Sequence, residues 1–323
     1  MQYFIGIDLG GTLIKMGLLK GETIIDRCQF QSRSASGMAS HLEELAEAID
    51  NLLHRHGVAP SDFGGIGLSF AGIVDVKAQR VLSTNEKYDD APGIDLVQWA
   101  KDKWGVQFFM DNDARMATTG EWQYGAGKGC DNMVMMTLGT GIGTSAIMEG
   151  RIVRGKHFQA GCLGGHFTIN LHEPNCNCGN IGCVEALSSS WSIDRQAKTS
   201  PELNESLLAN FERVGFLELF DAARKGDALA CRIRDICLQS WATGVVNLIH
   251  AYDPERVILS GGAMNSKDEI LPFIRQYVNR YAWTPWGKVE ILASTLMNDA
   301  AILGVCYCLQ NLPHHLDTKQ TIK

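Results

Sequence analysis

The sequence is short of proline, of charge and of long apolar runs, and each shortage excludes a class of protein. Eight of 323 residues are proline, and 20% are charged against 45% hydrophobic, a balance typical of globular rather than disordered or collagen-like chains. No apolar run reaches the roughly 18 residues that predict a membrane span. Positive charge is in deficit, with a net charge of −7, which argues against a nucleic-acid surface. We therefore expect neither a membrane nor a nucleic-acid partner.

What is present fits a cytoplasmic protein of about two domains, each long enough to bury its own core. The first residues lack the basic n-region of a signal peptide. The ten cysteines do not follow the spacing of a secreted disulfide framework. The sequence therefore predicts a chain that works in the reducing cytoplasm.

Three of the cysteines form a cluster with the spacing of a metal site. Cys176, Cys178 and Cys183 fall within eight positions, and His166 precedes them by ten residues. A Cys₃His set suits tetrahedral zinc, and four protein ligands leave no open position for catalysis, so the zinc would be structural. Two alternatives stay open at this point. His172 is a second candidate for the fourth ligand, and the thiols are otherwise ordinary buried cysteines.

A glycine turn near the start of the chain is a candidate phosphate site. The apolar run 3–7 is followed by Asp8. Gly10, Gly11 and Thr12 then separate this run from further apolar stretches. This pattern predicts a strand, a tight turn and two antiparallel strands. Paired glycines let backbone N–H groups approach an anion, and Thr12 adds a hydroxyl. Asp8 would hold a magnesium ion through water. The alternative is an ordinary hairpin turn.

An internal echo strengthens the phosphate interpretation. Gly139, Thr140 and Gly141 again follow an apolar run and precede another, and Gly10 aligns with Gly139 at a constant offset. Two such units predict two similar domains, each offering a phosphate-binding turn to a shared cleft. A dinucleotide-binding interpretation fails, because the GxGxxG spacing is missing and a second strand follows the turn.

Asp113 is the candidate catalytic carboxylate. It lies between the apolar run 108–110 and a predicted helix, and α/β proteins open their clefts at such strand ends. The alternative is a simple helix N-cap. Its position shortly before the second glycine turn favours a catalytic base.

The last third of the chain adds a candidate nucleotide site and a domain assignment. Gly261 and Gly262 follow a buried strand and are predicted to open a helix, which suits a nucleotide base, ribose or phosphate. A final apolar helix is expected to return to the first domain. The predicted domains are residues 1–117 plus 299–323 and residues 118–298.

Taken together, these motifs resemble the ROK family of sugar kinases and repressors, a branch of the actin/hexokinase superfamily. The resemblance covers nearly the whole chain in the family's order, and its most specific part is the run Cys-x-Cys-Gly-x-x-Gly-Cys-x-Glu. The matching stretches are residues 8–12, 112–114, 138–143, 176–185 and 260–262.

The resemblance implies a fold, a reaction and a set of roles. It implies an α/β fold of two ribonuclease H-like domains, a homodimer, and ATP with magnesium beside the structural zinc. Asp113 would deprotonate a sugar hydroxyl, and the glycine turns would hold the phosphates. The residues implied to contact the sugar are Asn85, Asn112, Asp113, His166 and Glu185.

One departure from the family pattern bears on the substrate. Sugar-binding members usually carry Gly-Glu-x-Gly-His before the zinc loop, whereas the run from Gly161 to His166 has no carboxylate here. That difference argues against glucose as the natural sugar. The predicted activity is ATP-dependent phosphorylation of a hexose or N-acetylhexosamine, at the 6-hydroxyl. The competing prediction is a sugar-binding regulatory protein with little kinase activity. The phosphate motif begins at residue 8, which leaves no room before it for a helix-turn-helix, so we expect no DNA-binding repressor.

Overall fold

The computed structural model describes residues 2–84, 86–172 and 174–312. Its strands are β1 (Tyr3–Leu9), β2 (Leu13–Lys20), β3 (Thr23–Gln31), β4 (Phe63–Phe70), β5 (Gly72–Asp75), β6 (Arg80–Thr84), β7 (Gln107–Asn112), β8 (Met133–Leu138), β9 (Ile142–Met148), β10 (Arg151–Ile152), β11 (Arg256–Ser260) and β12 (Glu290–Ala293). Its α-helices are α1 (Leu42–Arg55), α2 (Leu96–Trp104), α3 (Asp113–Tyr124), α4 (Val184–Ser188), α5 (Ser190–Thr199), α6 (Phe216–Arg224), α7 (Ala228–Tyr252), α8 (Lys267–Tyr281) and α9 (Ala300–Gln310). Among these helices none combines the length and the apolar character that crossing a bilayer requires.

The first compact unit is built on a five-stranded sheet in the order β3-β2-β1-β4-β7. β1, β2 and β3 pair antiparallel, whereas β1, β4 and β7 run parallel. Parallel strands bring their carboxyl ends to one edge, where ligands of α/β proteins bind. In register across that edge, Asp8 lies opposite Ser69 and Ser69 lies opposite Asp111. The predicted strand, glycine turn and two antiparallel strands are therefore present.

The second compact unit repeats this plan. Its sheet has the order β10-β9-β8-β11-β12, again with an antiparallel β8-β9-β10 meander and a parallel β8, β11 and β12 set. The two glycine turns occupy equivalent places, between β1 and β2 and between β8 and β9. The internal echo in the sequence thus corresponds to two domains of the same topology, as predicted.

Two helices of the first unit cross at glycines. A Cβ atom on Gly120 of α3 would lie 2.0 Å from the carbonyl oxygen of Ala300, and one on Gly304 of α9 would lie 1.9 Å from that of Met116. Real Cβ atoms do not approach backbone so closely. The glycines therefore allow α9 to pack against α3 at backbone contact.

The compact units differ from the predicted division at the first boundary. Within the described residues, the first unit extends to Lys128, includes Arg154–Ala160 and resumes at Asn298. The predicted boundary after residue 117 falls inside α3, and α3 stays with the first unit because it packs along α9. Arg154–Ala160 joins that unit through the ion pair of Arg154 with Asp111 and the hydrogen bonds of Arg115 to Phe158 and Ala160, and no sequence pattern predicts these contacts.

Candidate active site

Asp113 is the first residue of α3, directly after β7. The helix N-cap is Asn112, whose side-chain oxygen accepts a hydrogen bond from the backbone N–H of Arg115 at 3.2 Å. The alternative prediction that Asp113 is the N-cap is therefore wrong, because its neighbour takes that place. One carboxylate oxygen of Asp113 accepts hydrogen bonds from the N–H of Ala114 at 2.8 Å and from the Asn112 amide at 2.9 Å. These two bonds hold the carboxylate, and the residue as a whole is partly exposed.

Burial raises the pKa of Asp113 to about 6. The negative charge of Asp8 also raises this pKa, whereas the Ala114 N–H, the charge of Lys87 and the Asn112 amide oppose the shift. A carboxylate that titrates near pH 6 is ionised at neutral pH and binds a proton more strongly than an ordinary aspartate. Such a group suits general-base catalysis.

Asp8 is the next-to-last residue of β1, and its charge acts on Asp113. Its Oδ1 accepts a hydrogen bond from the Ser69 hydroxyl at 3.0 Å, and its Oδ2 lies 3.8 Å from the Lys15 ammonium. Burial raises the pKa of Asp8, whereas Lys15 and Ser69 oppose the rise. The side chain is 19% exposed and is therefore not sealed from solvent. Carboxylate oxygen is the donor that magnesium prefers, often through bound water, and Asp8 fits that role.

The first glycine turn is tied to a neighbouring loop. The N–H of Gly10 donates to the Asp8 carbonyl oxygen at 3.1 Å. The Tyr88 hydroxyl donates to the Gly10 carbonyl oxygen at 3.0 Å, and Tyr88 is fully buried. Thr12, at the open side of the turn, is exposed. Neither Tyr88 nor Lys87 is among the functional residues predicted from the sequence. The predicted sugar contact Asn85 lies outside the described residues.

The second glycine turn contacts Glu185. The N–H of Gly139 donates to the Gly141 carbonyl oxygen at 3.0 Å, which closes the turn between β8 and β9. The Glu185 carboxylate accepts a hydrogen bond from the N–H of Ile142 at 2.8 Å. A Cβ atom on Gly141 would lie 2.7 Å from that carboxylate. Thr140 is exposed at the tip of the turn. The second unit therefore brings a predicted phosphate turn and a predicted sugar contact together.

Gly261 approaches the same end of β8. Its φ is +93°, and a Cβ atom there would lie 2.4 Å from the Leu138 carbonyl oxygen. Apart from its chain neighbours, no atom of the described residues lies within 4 Å of the position where Gly262 would carry a Cβ. A 3₁₀ turn, Gly262–Ser266, precedes α8. The predicted helix therefore begins later than expected, and the two glycines form an open corner after β11.

His166, Cys176, Cys178 and Cys183 form a tight cluster of donor atoms. All four ligand atoms lie within 4.8 Å of one another, and the sulfurs of Cys178 and Cys183 are 3.8 Å apart. Tetrahedral zinc with bonds of about 2.3 Å to sulfur requires a sulfur–sulfur distance of about 3.8 Å. The donor set therefore fits zinc. His172 is not in this cluster, so in the described part of the chain the fourth donor is His166.

The cluster of His166 and the three cysteines adjoins a sugar-site candidate. Gly182 has a φ of +65°, and a Cβ atom there would lie 1.5 Å from the Asn170 carbonyl oxygen, so only glycine fits. Cys183 is the N-cap of α4, and Glu185 is the second residue of that helix. A metal bound to Cys183 would therefore fix the start of the helix that carries Glu185.

Comparison with known proteins identifies the family. The ROK family model matches residues 4–311. The chain belongs to the ROK family. It is 33% identical to a glucokinase of Halalkalibacterium halodurans over 94% of this chain and 93% of that protein. It is 32% identical to a glucokinase of Thermotoga maritima over 93% and 95% of the two chains.

Solved structures give the same result for this ROK protein. A ROK family glucokinase from Streptomyces griseus, crystallised with glucose and AMPPNP, matches with a TM-score of 0.80 and 26% identity over 96% of this chain and 99% of that one.

The sequence relatives also include a repressor. A xylose repressor of Bacillus spizizenii is 28% identical over 98% of this chain and 78% of that protein. The predicted actin/hexokinase-type fold is confirmed, and the glucokinase relatives support an ATP-dependent sugar kinase.

Proposed function

We propose that this ROK protein is an ATP-dependent kinase that phosphorylates a hydroxyl of a hexose or an N-acetylhexosamine, with Asp113 as the general base. The expected position is the 6-hydroxyl. The protein would work in the cytoplasm as a homodimer, with small-molecule sugar and ATP as its partners. The glucokinase relatives and the nucleotide-bound ROK structure support the sugar and ATP classes.

The proposed step is a direct phosphoryl transfer. The sugar oxygen forms a bond to the γ-phosphorus of ATP while the bond from that phosphorus to the β,γ-bridging oxygen breaks. The hydroxyl proton goes to the Asp113 carboxylate, and ADP leaves with the bridging oxygen. Such reactions depend on positioning and charge neutralisation rather than on covalent catalysis by the protein. Magnesium, when bound near Asp8, supplies neutralising charge to the phosphates.

The observation that carries the proposal is the environment of Asp113. Its carboxylate lies at the carboxyl ends of the parallel strands, it is influenced by the charges of Asp8 and Lys87, and its pKa is raised to about 6. A structural N-cap gains nothing from a raised pKa. A general base benefits from a raised pKa, because it must bind the proton that it removes.

The remaining residues divide into phosphate and sugar groups. We assign the phosphates to the backbone of the two turns and the open corner after β11, with the residues Asp8, Gly10, Gly11, Thr12, Gly139, Thr140, Gly141, Gly261 and Gly262. We assign the sugar to Asn85, Asn112, His166 and Glu185. The Asn112 amide already donates to Gly72 and Asp113, and its oxygen already accepts from the Arg115 N–H, so a sugar hydroxyl would donate to the second lone pair of that oxygen. Structural zinc would hold the His166 and Glu185 region in place.

A sugar-responsive regulator is the second candidate. The run from Gly161 to His166 lacks a carboxylate, and repressors occur among the relatives. An intact Asp113 with a base-like environment favours the kinase.

A sugar screen separates the two candidates. ADP release is measured with ATP and magnesium against glucose, mannose, fructose, allose, N-acetylglucosamine and N-acetylmannosamine, and sugar binding is measured in parallel by calorimetry. The kinase proposal expects turnover with at least one sugar. Sugar binding without ADP release would favour the regulator and reject the kinase.

A further inference from the structure

The side chain of Lys87 lies directly on the first glycine turn. A Cβ atom on Gly11 would be 2.6 Å from the Lys87 Cε and 2.9 Å from its Nζ. Only the missing side chain of Gly11 leaves room for this approach. The lysine is half-buried rather than solvated. Its ammonium therefore sits beside the backbone that is proposed to hold a phosphate.

The backbone around Lys87 is strained and firmly anchored. Glu86 and Tyr88, on either side of it, both have a φ of +56°, a conformation that non-glycine residues adopt at a cost and often at functional sites. The buried Tyr88 hydroxyl bonds both Gly10 and Ser32, and the Tyr88 N–H donates to the Ser34 carbonyl oxygen at 2.9 Å. These contacts fix the lysine backbone relative to the glycine turn.

Lys87 acts electrostatically on the candidate base Asp113, and so does Asp8. The positive charge of Lys87 lowers the pKa of Asp113, and Asp8 has the opposite effect on the same carboxylate. Asp8 is paired with Ser69 and lies near Lys15. Across residues 2–84, 86–172 and 174–312, no carboxylate lies within ion-pair distance of the Lys87 ammonium. A half-buried cation with no close protein anion is suited to receive an anionic ligand.

We propose that Lys87 is a further catalytic residue, whose ammonium contacts a non-bridging oxygen of the phosphoryl group as it moves from ATP to the sugar. This inference rests on the proposed kinase function. The charge on those oxygens must be neutralised in the transition state. The lysine also favours the ionised form of the neighbouring base, so one side chain would assist both the phosphoryl group and the proton transfer.

The test compares Lys87→Gln with Lys87→Arg and with Lys101→Gln, an exposed lysine of α2 in the same unit. With the sugar found in the screen, we expect Lys87→Gln to lower kcat by about 10²-fold, the typical effect of removing one transition-state donor. The KM for sugar should change little. Lys87→Arg should recover part of the loss, and Lys101→Gln should stay within about twofold of wild type.

The pH profile separates a contact with phosphate from an indirect effect through Asp113. Because Lys87 lowers the pKa of Asp113, its removal should move the acidic limb of kcat to higher pH. The loss should persist on the alkaline plateau, where Asp113 is ionised in both proteins. A shifted limb with a normal plateau would overturn the phosphate contact, and so would a variant that matches wild type throughout.

Nucleotide binding keeps this inference distinguishable from the proposed function. Calorimetry measures a non-hydrolysable ATP analogue and ADP against wild type and Lys87→Gln. We expect weaker binding of the analogue with ADP affinity unchanged, because only the analogue carries the terminal phosphate. Equal effects on both ligands, or none, would overturn the contact. If wild type releases no ADP with any sugar, the kinase proposal fails, and these affinities alone decide the role of Lys87.

Discussion

Arg154 and Asp111 form a buried ion pair, with the Arg154 Nη2 2.8 Å from the Asp111 Oδ2. Asp111 also lies 3.4 Å from Arg115, and both of these side chains are fully buried. The Arg115 guanidinium donates to the carbonyl oxygens of Phe158 and Ala160, each at 2.9 Å. One carboxylate thus connects the end of β7, the first turn of α3 and the segment Arg154–Ala160. These contacts explain why that segment belongs to the first compact unit.

Replacement of Asp111 by alanine should strongly destabilise the first unit. The change leaves two buried guanidinium groups without their shared carboxylate, and removal of one partner from a buried pair typically costs about 3–5 kcal/mol. Urea unfolding followed by tryptophan fluorescence measures this loss. The control is Glu43→Ala, which removes an ion pair to Lys103 from a side chain that is 78% exposed, and should cost at most about 1 kcal/mol. Equal midpoints for the two variants would contradict the structural role.

Local patterns of the sequence predicted the strands and turns around the site. The glycine turns after β1 and β8 could be predicted from neighbouring residues, because glycines interrupt apolar runs at equivalent places in the sequence. The cluster of candidate zinc ligands was predictable for the same reason, since its three cysteines lie close together in the chain. Its fourth donor remained open between His166 and His172 until the fold placed His166 beside the sulfurs.

Features that depend on distant contacts could not be predicted. Asn112 and Asp113 both have side chains that cap helices, and only the structure assigns the cap to Asn112. Arg154 reaches Asp111 across 43 residues, and no periodic pattern marks such a pair. The positive φ of Tyr88 could not be predicted from the sequence either, because tyrosine rarely adopts a left-handed backbone conformation. Tertiary contacts fix these residues.

Substitution of Gly120 by alanine should disrupt the crossing of α3 and α9. The added Cβ would lie 2.0 Å from the Ala300 carbonyl oxygen, and backbone cannot move aside as a flexible side chain can. We expect a loss of about 2–3 kcal/mol in the free energy of unfolding, measured by urea titration. Gly93→Ala is the matched control, because in the described part of the chain its added Cβ would meet nothing within 4 Å beyond its chain neighbours. A Gly120→Ala protein as stable as this control would show that the helices can separate without cost.

Replacement of Cys178 by serine should release zinc from the second unit. Serine keeps the size of the side chain but removes a thiolate donor, and structural zinc contributes directly to folding. We expect zinc content, measured by mass spectrometry of the metal, to fall well below one per chain, with destabilisation of about 3 kcal/mol or more. Cys231→Ser, outside the cluster, should retain zinc. Purified wild type without zinc would reject the proposed metal.

The pH dependence of turnover should follow the Asp113 carboxylate. A general base must be ionised, so kcat should rise through about pH 6, the raised pKa of this group, and level off above it. Asp113→Asn should lower kcat by about 10²–10⁴-fold at pH 8, while calorimetry still detects sugar binding. Activity within a few-fold of wild type would reject the base.

Stability should respond to the same substitution in the opposite direction. The folded-state pKa lies above the unfolded value, so the protonated carboxyl stabilises the fold below about pH 4 and that contribution is lost as pH rises through about 6. At pH 8 the wild type keeps an ionised carboxylate in a site that disfavours the charge, and Asp113→Asn carries none. Thermal unfolding at pH 8 should therefore show the inactive variant to be at least as stable as wild type, because the charge retained for catalysis opposes folding there. A variant that is both inactive and much less stable would instead assign Asp113 a structural role.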